Sequence, residues 1–95
     1  MDIINDFEVQ FYKALSLLDL GKTEQASKIL ESVVAEAAKM QNNLFFIRAS
    51  CVLGELLFAT GKYNEARRYL TPVIETPFDV VDYEKNLAED VLGRL

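Results

Sequence analysis

Gly61-Lys62-Tyr63-Asn64-Glu65-Ala66 echoes Gly21-Lys22-Thr23-Glu24-Gln25-Ala26, forty residues earlier in the chain. The echo extends outward from these two hexapeptides. Ala14 stands seven residues before the first glycine, and Gly54 seven before the second. A third, truncated copy closes the chain. Ala49-Ser50-Cys51-Val52-Leu53-Gly54-Glu55-Leu56 returns as Ala88-Glu89-Asp90-Val91-Leu92-Gly93-Arg94-Leu95, at an offset of 39. Repetition at one period is the mark of stacked supersecondary units. Small residues at fixed places let two helices of a pair approach closely. In this scheme Gly21 and Gly61 end the first helix of each pair. Ala26 and Ala66 let the second helix pack back, and Ala14, Gly54 and Gly93 seat the crossing.

The periodicity around these points is helical. Ile3/Ile4, Phe7, Phe11, Ala14/Leu15 and Leu18 recur at three- and four-residue spacing and stop at Gly21. Thr23 is placed to cap a second helix, whose stripe is Ala26, Ile29, Leu30, Val33, Val34 and Ala37. Gln41-Asn42-Asn43 breaks it and can cap a third, with Leu44, Ile47, Val52, Leu53, Leu56 and Leu57 as core positions up to Gly61. A fourth helix carries Ala66, Tyr69, Leu70, Val73 and Ile74, and Pro72 within it predicts a kink or an early end. Thr76-Pro77 has the form of a cap and first turn for a last helix. Alternation at period two is sustained nowhere. The class is all-α.

The 95 residues suit one domain. Fifteen acidic side chains against ten basic ones give a net charge of -5, which argues against a nucleic-acid partner, since few counterions would be released. With no His and a single Cys there is no His-based acid–base pair, no intramolecular disulfide and no thiolate-rich metal site. No cofactor is called for. The longest apolar runs, Leu44 to Ile47 and Leu56 to Ala59, are far short of the roughly 20 residues a membrane span requires. An acidic start, Met1-Asp2-Ile3-Ile4-Asn5-Asp6, is unlike a secretory leader, and a lone thiol suits a reducing compartment. A cytoplasmic protein without a membrane partner is expected.

Leu53-Gly54, Leu57-Phe58, Gly61, Tyr63, Glu65-Ala66 and Tyr69-Leu70 resemble the signature of the tetratricopeptide repeat family. The first copy keeps Ala14, Leu17-Leu18, Gly21, Ala26 and Ile29-Leu30, but has Lys13 where Leu is usual and Thr23 where Tyr is usual. The period of about 40 is similar to the long-helix variants of that family. The resemblance implies a right-handed stack of helical hairpins, two helix pairs plus a final helix, in one domain over residues 1–95. Repeat 1 would occupy about 7–40, repeat 2 about 44–76, and a partial third about 78–95. It further implies a concave groove along the first helices that holds a peptide or amphipathic helix of another protein. Phe11, Leu15, Leu18, Arg48, Cys51, Glu55 and Phe58 would line that groove, with Glu8, Asp19 and Ala59 on the same face and Leu87, Asp90 and Arg94 from the third copy. The Lys, Arg and Asn of the family's carboxylate clamp are absent, Phe11 and Tyr12 standing in their places.

Other candidate chemistry is sparse. Asp2, Asp6 and Glu8, like Asp79, Asp82 and Glu84, read as acids favoured near helix starts. Cys51 reads as a small hydrophobe. Phe45 and Phe46 are neighbours, so one helix cannot bury both on one face; one should pack on a neighbouring helix. The truncated third copy predicts an exposed, sticky side of the last helix at Val91, Leu92 and Leu95, through which the chain would form a homo-oligomer. The expected function is that of an interaction module or adaptor rather than an enzyme. The alternatives are a small secretion-type chaperone that sequesters an apolar subunit, or a self-assembling structural repeat unit.

Overall fold

The computed structural model describes residues 6–75 and 82–95. They form five α-helices, α1 Asp6–Asp19, α2 Thr23–Lys39, α3 Asn43–Ala59, α4 Tyr63–Glu75 and α5 Asp82–Gly93, and no strand occurs among them. The three turns that join α1 to α4 share one hydrogen-bond pattern. Gly21, Gln41 and Gly61 each adopt a left-handed conformation, with φ of 78°, 57° and 82°. The N–H of each donates to a carbonyl three residues back, on Leu18, Ala38 and Phe58, at 3.0–3.1 Å. The next N–H, of Lys22, Asn42 and Lys62, donates five residues back to Leu17, Ala37 and Leu57, at 2.8 Å each. This paired closure satisfies carbonyls that a helix end leaves open. It reverses the chain every twenty residues.

Helix starts follow from what remains. Asn42 Oδ1 accepts from the Phe45 N–H at 3.1 Å and caps α3. The expected cap at Thr23 is one residue off: Thr23 is the first helical residue, and Lys22 sits at the cap without a side-chain bond. The turn closure consumes the Lys22 N–H, and an ammonium offers no acceptor. Pro72 does not stop α4, which runs on to Glu75. Leu70 and Val73, wholly buried on either side, hold the helix against its neighbours through the proline. Thr76-Pro77 lies outside the described residues.

α1, α3 and α5 are neighbours in that order, α2 packs on α1 and α3, and α4 packs on α3 and α5. The molecule is 19 Å across its thinnest dimension, which two layers of helices 8–10 Å apart would fill. α2 buries Ala26, Leu30, Val33 and Ala37; α4 buries Ala66, Leu70 and Val73, three of the same places forty residues on. α3 is in the middle and buries residues all round, from Phe45 and Ile47 to Leu53, Gly54 and Leu57. Gly54 does seat a crossing: a Cβ built there would lie 2.5 Å from Leu70 Cγ. Gly93 does not. It is exposed, with nothing within 4 Å of a built Cβ, because no helix in the described chain packs beyond it.

Val91, Leu92 and Leu95, the residues expected on a sticky outer side of the last helix, are not exposed. Ala88 and Val91 are buried, and Leu92 and Leu95 are half-buried against the core. Among the side chains described on α5 and the residue after it, Asn86, Glu89, Asp90, Gly93 and Arg94 are exposed, with Arg94 paired to Asp90 at 2.9 Å. The helix spends Ala88 and Val91 on its two neighbours, α3 and α4. Among the described residues, no helix is long and apolar enough to cross a membrane.

Candidate functional site

α3 carries Arg48, Cys51, Val52 and Glu55 at helical spacing, which puts them on one side, away from the Gly54 contact with α4. α1 adds Phe11 and Tyr12 beside them, and α5 adds Glu84 and Leu87. Together these eight side chains enclose an open cavity of about 420 Å³. Every described lining residue comes from α1, α3 or α5.

One wall is aromatic. Phe45 is buried at the head of α3, and the rings of Phe7, Phe11 and Tyr12 meet it edge-on, with centroids 5.9, 5.6 and 6.2 Å away. Edge-to-face contacts of this kind hold rings in fixed orientations. They tie α1 to α3 and aim Tyr12, half of whose surface is exposed, at the cavity rim. The other wall is polar. Arg48 lies with its guanidinium carbon 5.8 Å from the Phe45 ring centre and its Nε 3.7 Å from Glu84 Oε2. Cys51 Sγ donates to the Glu84 carbonyl oxygen at 3.7 Å. α5 is therefore joined to α3 at Glu84, once through its side chain and once through its backbone.

Burial pushes the Cys51 thiol up from 9.0 to about 12, and the nearby carboxylates of Glu55 and Glu84 add to the effect. Arg48 lines the same cavity, yet it does not activate the sulfur. The thiol stays protonated at neutral pH, and its role is that of a small apolar floor. Ser50, whose buried Oγ has no hydrogen-bond partner, does not line the cavity. No group of three His, Cys, Asp or Glu among the described residues is arranged to hold a metal. What the cavity can do chemically is to take an apolar side chain out of water and offer charge at its edges.

Of the residues expected in a groove, the structure brings together Phe11, Arg48, Cys51 and Glu55, with Leu87 from the third copy. It does not bring the others. Leu15 and Leu18 are half-buried and pack against the core. Phe58 stands with its ring 5.5 Å from Tyr63, beside Arg94 and Leu95, around a separate cavity of about 210 Å³. The neighbouring phenylalanines divide as their spacing requires. Phe45 packs on α1, while Phe46 lines a cavity at the α2–α3 turn with Ala38, Gln41 and Asn43. Val52 and Glu84 were expected as a core residue and a helix-start acid. The repeat held a signal for Val52, which stands forty residues after Tyr12 as Cys51 stands forty after Phe11. No such signal marked Glu84.

No protein-family model matches the chain, and comparison with curated proteins and with solved structures finds no match to it.

Proposed function

We propose that the protein is a tetratricopeptide-like interaction module that holds a peptide or helix of a partner protein along α1, α3 and α5. The observation that supports this reading is the provenance of the cavity wall: its described lining residues all come from α1, α3 and α5, one helix from each copy of the repeat. Aromatic and aliphatic side chains with a few charges at the rim suit a partner's side chain better than a reaction.

The test is a selection from random peptides displayed on phage, followed by amide chemical-shift mapping of the winners on the isotope-labelled protein. Selected peptides should move the resonances of Tyr12, Val52 and Leu87. Val52→Glu, which places a carboxylate in the apolar middle of the cavity, should weaken them at least about tenfold, or roughly 1.4 kcal/mol. Its helical circular dichroism must match that of the parent. A selection that yields no binder, or winners that shift only the outer faces of α2 and α4, would remove the reading.

A further inference from the structure

We infer that the cavity selects a segment bearing a Lys or Arg side chain beside an aliphatic one, the aliphatic group on Val52 and the cation at Glu55. This rests on the reading of the cavity as a partner groove and names the chemistry it prefers. The charges along α3 carry the inference. Arg48 and Glu55 lie seven residues apart, about 10.5 Å at 1.5 Å per residue, with Cys51 and Val52 between them. The two ends are not equivalent. Arg48 is already engaged, with the Phe45 ring on one side and the Glu84 carboxylate on the other. Glu55 lines the same cavity, is exposed, and takes part in no ion pair among the described residues.

With Arg48 and Glu84 offsetting one another, the charge left to an incoming group is that of one carboxylate. An anionic ligand would meet the repulsion of Glu55, and the Arg48 charge that could attract it is already offset by Glu84. A cationic one needs to displace nothing. The negative potential reaches the cavity floor as well, where both glutamates help to keep the Cys51 thiol protonated. The net charge of -5 favours the approach of a basic segment from a distance. Spacing refines the ligand. Val52 and Glu55 are three residues apart on a helix, about 5–6 Å between Cβ atoms. A ligand matches that separation with residues three or four apart on a helix, or two apart on an extended strand.

Three rhodamine-labelled alanine–glutamine helices of about 15 residues, acetylated and amidated, serve as probes. One carries Leu and Arg four residues apart, one Leu and Gln, one Leu and Glu. Fluorescence anisotropy at low salt should show the Leu/Arg probe binding about tenfold tighter than Leu/Gln, and Leu/Glu weakest. The preference should shrink as salt rises. Glu55→Gln should bring Leu/Arg and Leu/Gln within about twofold of one another, while Glu24→Gln, on the exposed start of α2, should change neither. Equal binding of the three probes refutes the charge preference and leaves the groove standing. So does a preference that survives Glu55→Gln. Binding of none of them overturns this inference and counts against the groove itself.

Discussion

Gly54→Ala puts a methyl group where α3 and α4 touch. The added Cβ would lie 2.5 Å from Leu70 Cγ and 2.6 Å from Cδ2, against an ordinary carbon–carbon contact of about 3.5–4.0 Å. One of the two must retreat by about 1 Å. A turn about χ2 leaves the Leu70 Cγ where it is, and with no exposed surface the side chain has little room for a change in χ1. Overpacking of this kind costs about 1–3 kcal/mol. Against it stands the gain from replacing a mid-helix glycine, about 1 kcal/mol. The net expectation is a loss of up to about 2 kcal/mol, or up to roughly 16 °C in Tm for a domain of this size. Urea unfolding followed at 222 nm measures it. Leu70→Ala supplies the decisive control: alone it should cost about 2–5 kcal/mol. In that background the clashing atoms are gone, and Gly54→Ala should turn stabilising, a coupling of about 1–3 kcal/mol. The first pair carries Ala14 and Leu30, both fully buried, at the corresponding places, so a methyl is tolerated there. A Gly54→Ala protein that is more stable than the parent, or equally affected in both backgrounds, would refute the close approach.

Two further expectations concern single residues. Gln41 holds a left-handed φ of 57° in a turn whose counterparts are glycines, and Gln41→Gly should therefore stabilise the protein by about 0.5–1 kcal/mol in the same assay; a loss would mean that its side chain does more than occupy the turn. Cys51, with its thiol raised from 9.0 to about 12, keeps its proton in the folded state after the unfolded chain has lost it. Its contribution is intact below about pH 9 and declines as pH rises toward 12, by up to about 1.4 kcal/mol per unit, so the stabilities of the parent and Cys51→Ala should converge or cross over that range rather than run parallel.

The helices were legible because their burial is one-sided. α2 and α4 each show one apolar stripe, at Ala26, Leu30 and Val33 and again at Ala66, Leu70 and Val73, and an amphipathic helix declares its inner face in its own residues. The turns at Gly21 and Gly61 were legible for a different reason, since a left-handed conformation costs glycine least. Gln41 makes the same turn with no such mark, because the bonds that close it come from backbone groups that every residue carries. α3 was the hard case. It is apolar nearly all round, so its composition does not say which of Phe45 and Phe46, or of Val52 and Leu53, faces which neighbour. Only the packing of α1 on one side and α4 on the other sets that phase, and with it the cavity floor. The same holds for α5. Its amino acids announce a helix, but Glu84 meets Arg48 and Cys51, and Val91 goes inward, because the helix docks across α3 and α4 at once. Sequence alone determined where the chain coils and turns, which are local matters of torsion and period; the tertiary structure decided which side of an all-apolar helix is left open, which depends on contacts between residues far apart in the chain.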